Sequence, residues 1–133
     1  MKSLLSLLLT VLFLSTAFSQ KDLAVYDLSC EHKKNPLGVD VLNPRLSWKI
    51  RSAGYNVLQT AYAIRVATDQ RFAGSGMAWQ TGKVSSDESV LIPYGGAELK
   101  PGQRYYWQVK VWDNKGRESK WSEAGYWETG LLS

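Results

Sequence analysis

Leu99-Lys100-Pro101-Gly102-Gln103-Arg104-Tyr105-Tyr106-Trp107-Gln108-Val109-Lys110-Val111-Trp112-Asp113 is the stretch that decides the architecture. From Arg104 onward it alternates with period two. Tyr105, Trp107, Val109 and Val111 share one face, and Tyr106, Gln108, Lys110 and Trp112 share the other, as in a strand with one face in a core and one turned outward. Pro101 fixes one backbone dihedral and Gly102 permits the next, so the chain turns just before the strand. Asp113, Asn114, Lys115 and Gly116 supply a tight, Asx-rich turn at its far end.

The same alternation extends outward in both directions. Residues 45–51 place Leu46, Trp48 and Ile50 on one face and Arg45, Ser47, Lys49 and Arg51 on the other. Residues 59–68 place Tyr62, Ile64 and Val66 inward, opposite Ala61, Ala63, Arg65 and Ala67. Further strands are predicted at 23–30, 77–84 around Trp79, 89–94 and 126–132. Turn residues separate them: Asn35, Pro36 and Gly38, then Asn43 and Pro44, then Gly54, then Gly95 and Gly96. No useful 3.6-residue period occurs after the first twenty positions. Seven short strands spaced by turns predict an all-β fold, a two-sheet antiparallel sandwich.

Residues 1–19 read as a secretory signal peptide: Lys2, an apolar run over 4–13 broken only by Ser6 and Thr10, then small residues at Ala17 and Ser19. The run is shorter than the about 20 apolar residues that a bilayer core requires, so a retained anchor is disfavoured. Cleavage leaves 20–133, 114 residues, enough for one sandwich domain. A hydrolase barrel or a doubly wound nucleotide-binding fold takes roughly twice that length or more. Lys2 leaves with the signal, so the remaining chain carries 15 basic and 12 acidic residues, a net of +3. That balance is mild and interspersed, and it indicates no nucleic-acid partner and no membrane contact after cleavage. Localisation is expected to be secreted or periplasmic. Cys30 is the single cysteine, so no disulfide framework holds the domain.

Leu99, Pro101, Gly102 and Tyr105, in the order Leu-x-Pro-Gly-x-x-Tyr, resemble the tyrosine corner of fibronectin type III domains, and the fold this implies is fibronectin type III or immunoglobulin-like. Trp48 and Tyr62 fit that family's core positions, and Gly116, Ser119, Trp121 and Ser122 fit its last hairpin. Five further strings are narrower: Asn35-Pro36-Leu37-Gly38-Val39-Asp40, Pro44-Arg45-Leu46-Ser47-Trp48, Gln59-Thr60-Ala61-Tyr62, Arg104-Tyr105-Tyr106-Trp107 and Trp127-Glu128-Thr129-Gly130-Leu131. They resemble the N-terminal module of bacterial α-L-rhamnosidases, in which a separate helical-barrel domain hydrolyses rhamnosides. The resemblance implies a non-catalytic accessory module whose partner is the catalytic domain or subunit of such an enzyme, with a rhamnose-containing glycan as a further ligand candidate.

Residue chemistry agrees with a module that has no catalytic, cofactor or metal site. Glycoside hydrolysis takes two carboxylates across a scissile bond, whereas Asp40, Asp69, Asp87, Glu88, Asp113, Glu118 and Glu123 fall beside turn residues, where a capped or solvated carboxylate is the ordinary state. One His and one Cys cannot build a zinc site of the usual kind. Cys30 and His32 are expected on one strand face, without the orienting residue that a thiol–imidazole nucleophile needs. The candidate docking surface is Ala61, Ala63 and Ala67 beside Tyr106 and Trp112, with Arg65 and Lys110 as the side chains able to cover the rings instead. The alternative function is a carbohydrate-contacting module using exposed Trp and Tyr faces.

Overall fold

The computed structural model describes residues 23–132, so the signal-peptide reading of residues 1–19 lies outside the described residues. Seven strands form: β1 (Ala24–Cys30), β2 (Arg45–Arg51), β3 (Gln59–Ala67), β4 (Met77–Gln80), β5 (Ile92–Pro93), β6 (Arg104–Asp113) and β7 (Gly125–Glu128). A three-stranded sheet is ordered β1-β2-β5 and a four-stranded sheet β4-β3-β6-β7. All ladders between these strands are antiparallel. The fold is therefore the two-sheet, seven-stranded sandwich that the alternation implies.

The core lies between the sheets, where Leu46 and Trp48 of β2 meet Tyr62, Ile64 and Val66 of β3 and Tyr105, Trp107, Val109 and Val111 of β6. Each large apolar side chain so buried stabilises the fold by roughly 1.5–3 kcal/mol. In β6 burial alternates strictly along all ten residues. Trp48 meets Tyr62 edge to face, with ring centroids 5.2 Å apart.

Several strands are shorter than the alternation suggests, each for a local reason. Gly82, at φ +63°, ends the pattern after β4, and Val84 rejoins as a single bridge to Tyr62. Leu91 adopts φ +55° and donates its amide to Ser47 Oγ, which confines β5 to two residues. β7 begins one residue early and stops at Glu128, because Thr129 turns to a parallel bridge with Val39. Asp27, at φ +51°, marks an irregularity in the β1–β2 register.

Strand directions gather residues 52–58, 85–91 and 114–118 at one pole. Residues 31–44, 68–76 and 94–103 gather at the other, where 129–132 leave the sandwich.

Candidate functional site

The tyrosine corner closes as its residue types require. Tyr105 is buried, and its hydroxyl oxygen accepts a hydrogen bond from the Lys100 amide at 2.8 Å. Between them Gly102 sits at φ +64°, a backbone state that a Cβ would strain. The Thr129 hydroxyl donates to the Lys100 carbonyl at 2.5 Å and accepts from the Gln103 amide at 2.9 Å, tying the corner to the departing chain. Tyr105→Phe leaves the Lys100 amide without this acceptor and is expected to destabilise the domain by about 1–3 kcal/mol. Coincident urea midpoints for wild type and variant would show that the hydroxyl does not hold the corner.

The candidate docking residues lie side by side on the outer face of the four-stranded sheet: Ala61 pairs with Trp112, Ala63 with Lys110 and Ala67 with Tyr106. The alanines are nonetheless only 2, 4 and 0% exposed. The Arg65 guanidinium lies 4.1 Å from the Trp121 ring centroid and 4.9 Å from that of Phe72, and it donates twice to Gln108 Oε1. Lys110 sits over Trp121 at 4.9 Å and near Trp112 at 5.4 Å while pairing with Glu118 at 2.7 Å. Lys83 covers Trp112 at 4.9 Å. Arg104 covers Tyr126 at 4.2 Å and pairs with Glu128, and Tyr126 meets Tyr106 edge-on.

An interleaved layer of cations and rings therefore occupies the same sheet face as the three buried alanines. Small side chains on β3 leave room beneath it, and each cation–ring contact contributes about 0.5–2 kcal/mol. Tyr106 and Trp112 remain half-exposed. Burial lowers the Arg65 pKa, and the hydrogen bond from Lys110 holds the Glu118 carboxyl below its ordinary value.

Cys30 and His32 do not share a strand face as expected. β1 ends at Cys30, and Glu31 and His32 adopt φ +49° and +65° in a turn closed by reciprocal Cys30–Lys33 backbone hydrogen bonds. Cys30 is buried, which pushes its thiol pKa up to about 12, far from a nucleophile's range. Several carboxylates serve structure. Asp113 accepts from the Lys115 and Arg117 amides and from Arg117 Nε at 2.8 Å, and Glu31 is held below the usual range by its hydrogen bond with Arg45. Among the described residues no group of three or more His, Cys, Asp or Glu side chains is placed to hold a metal. A groove of about 630 Å³ separates β1 from residues 120–125, with Leu23, Leu28 and Trp121 in its walls; of the two carboxylates that line it, Asp27 and Glu123, Asp27 is paired with Lys49 at 2.9 Å.

One buried polar residue escaped the sequence reading. Gln59 accepts from Trp48 Nε1 at 3.0 Å and donates to the carbonyls of Ser86 and Glu88 at 3.1 and 2.8 Å. The register shifts between Gln59 and Ala61, which turns Gln59 inward against the alternation of the rest of β3. Its place in the string Gln59-Thr60-Ala61-Tyr62 was the available signal. Ser119 and Ser122 act similarly in the last hairpin, each hydroxyl oxygen accepting a β6 amide, Val111 and Val109 respectively.

Two antiparallel sheets, a closed tyrosine corner and an outer face occupied by the domain's own cations define an immunoglobulin-type β-sandwich module. Residues 25–133 match the family described as Rha78A-like, N-terminal immunoglobulin domain, and the chain belongs to that family. It is 47% identical over 110 residues to an α-L-rhamnosidase of Streptomyces avermitilis, covering 83% of this chain and 11% of that protein. An α-L-rhamnosidase of Formosa agariphila is 42% identical over 102 residues, 75% of this chain and 11% of its own length. The crystal structure of the S. avermitilis enzyme complexed with L-rhamnose superposes with a TM-score of 0.79 over 83% of this chain and 11% of that one. The α-L-rhamnosidase from Dictyoglumus thermophilum superposes at 0.77 with 44% identity, over 83% of this chain and 12% of its own. The chain thus spans about a tenth of the length of these relatives, and the match is to their N-terminal immunoglobulin domain rather than to a catalytic one.

Proposed function

We propose that residues 20–133 act as a non-catalytic accessory module that packs against the remainder of an exported α-L-rhamnosidase and stabilises it. The observation that carries this is the 47% identity to the S. avermitilis enzyme, extending over 110 residues and confined to 11% of that protein. Identity at that level across a whole sandwich includes surface as well as core positions, as expected where part of the surface is held against a neighbour. The apolar run at 4–13 and the small residues Ala17 and Ser19 support export. The carbohydrate-contacting alternative gains less support, since Trp112, Trp121, Tyr126 and Tyr26 each carry a cation over the ring.

The test is a chimera in which residues 25–132 replace the matched N-terminal domain of the S. avermitilis enzyme. It is expected to unfold in one calorimetric transition and to keep rhamnosidase activity. Two separate transitions, with the sandwich melting as it does alone, would show that the module does not pack against the rest.

A further inference from the structure

Two of the strings that mark the family, Asn35-Pro36-Leu37-Gly38-Val39-Asp40 and Trp127-Glu128-Thr129-Gly130-Leu131, are far apart in sequence and meet in space. The Glu128 amide donates to the Pro36 carbonyl at 3.0 Å, the Val39 amide to the Glu128 carbonyl at 2.9 Å and the Gly130 amide to the Val39 carbonyl at 2.9 Å. Two side chains add to this: Asn35 Oδ1 accepts from the Tyr126 amide at 3.0 Å and Asp40 Oδ1 from the Leu131 amide at 3.1 Å. Gly130 is where the approach is closest, because a Cβ there would collide with the Asp40 carboxylate. From the other side the Gly130 carbonyl accepts from the Gly102 amide at 3.1 Å. The departing chain is thereby clamped on both sides up to Leu131, so its direction of exit is fixed.

Around this clamp the domain leaves Leu37, Val41, Leu42 and Leu131 in solvent, Leu37 at 66% and Leu131 at 86% exposure. Isolated exposed aliphatic residues need no explanation, but four on two segments hydrogen-bonded together form a surface suited to a contact. Tyr55, Leu58 and Val90 are exposed too, on the loops of the opposite pole. What separates the two poles is the chain itself. In the relatives the matched domain is N-terminal and only 11% of the length, so the remaining polypeptide follows the counterpart of Leu131 and starts beside this patch.

We infer that the pole formed by residues 36–42 and 129–132 is the interdomain interface, a clamped exit whose Leu37, Val41, Leu42 and Leu131 are covered by the polypeptide that follows this domain in α-L-rhamnosidases. The inference rests on the packing role proposed above and names the surface that performs it. The outer face of the four-stranded sheet, already covered by Arg65, Lys83 and Lys110, is the rival surface.

The experiment uses the S. avermitilis chimera with Leu37, Val41, Leu42 and Leu131 all replaced by serine. Because these residues are exposed, the isolated domain carrying the four changes is expected to melt within about 2 °C of wild type. In the chimera the same changes are expected to split the single transition in two and to speed protease cleavage after the exit segment by about tenfold or more. A single transition with unchanged cleavage overturns the interface assignment while leaving the packing role intact. Splitting produced by Tyr106→Ser with Trp112→Ser, but not by the serine set, moves the interface to the outer face and also overturns it. If the unaltered chimera already melts in two transitions, both the packing role and the interface fail. Concentration-dependent dimerisation of the isolated domain that the serine set abolishes would name a second copy as the occupant instead, and would likewise overturn the assignment.

Discussion

Trp127→Ala is expected to lower the unfolding free energy by about 3–5 kcal/mol, the range for deleting a large buried aromatic side chain. Trp127 is fully buried at the centre of an aromatic run. Its indole stacks on Tyr105 with centroids 5.5 Å apart and planes at 20°, and meets Tyr94 edge-on at 5.8 Å, which in turn meets Trp79 at 5.2 Å. Alanine removes the middle of that run and leaves a cavity between the tyrosine corner and β5. A domain of this size has only about 5–15 kcal/mol of stability in all, so the variant should unfold at much lower urea. Trp127→Phe separates ring contact from the rest of the indole. The Trp127 indole N–H has no hydrogen-bond partner among the described residues, so phenylalanine keeps much of the stack and removes a buried, unsatisfied donor. Its loss is expected to be less than half that of alanine. Equal losses for the two variants would show that the stack on Tyr105 contributes little.

The second large effect is expected at Gln59, and it arises from polar satisfaction rather than volume. Gln59→Ala strips an acceptor from the Trp48 indole N–H and a donor from two carbonyls in the segment that crosses between the sheets. The indole N–H is buried, where an unpaired group costs about 1–3 kcal/mol, whereas the two carbonyls are part-buried and regain some bonding from water, so a total on the order of 3 kcal/mol is expected. A double-mutant cycle tests the cause. Trp48→Phe removes the donor that Gln59→Ala leaves unpaired, so the two together should cost less than their sum. Strict additivity would mean that the indole–amide bond carries no coupling and that Gln59 acts only through the Ser86 and Glu88 carbonyls.

These two residues also show what the sequence could and could not disclose. The sandwich was legible because its central strand alternates without interruption: all ten positions of β6 bury as the period-two reading requires, and Trp48 and Tyr62 face each other across the core. Gln59 was not legible, because a one-residue irregularity in the β3–β6 ladder turns an end-of-strand glutamine inward, and no periodicity reports a bulge. The outer face was read in part. Strand register put Ala61 beside Trp112 and Ala67 beside Tyr106, as the fibronectin-type resemblance implied, yet the layer on this face also draws on Phe72, Lys83 and Trp121, which arrive from three separate segments. Of the two side chains anticipated over Tyr106 and Trp112, Lys110 lies near Trp112, whereas Arg65 lies over Trp121 and Phe72. The turn at Glu31 and His32 broke the expected Cys30–His32 alignment for a similar reason. Reciprocal hydrogen bonds between Cys30 and Lys33 favour a tight turn there over one more strand residue.

Hydrolysis by the purified chain tests the central claim most directly, since a domain that matches only the N-terminal immunoglobulin part of α-L-rhamnosidases should bring no catalysis of its own. Residues 20–133, incubated with nitrophenyl α-L-rhamnoside over the range of pH at which glycosidases work, are expected to release no nitrophenol above the buffer blank, while the S. avermitilis chimera carrying the same residues does. Release that scales with the concentration of the isolated domain and disappears on its unfolding in urea would contradict a non-catalytic module.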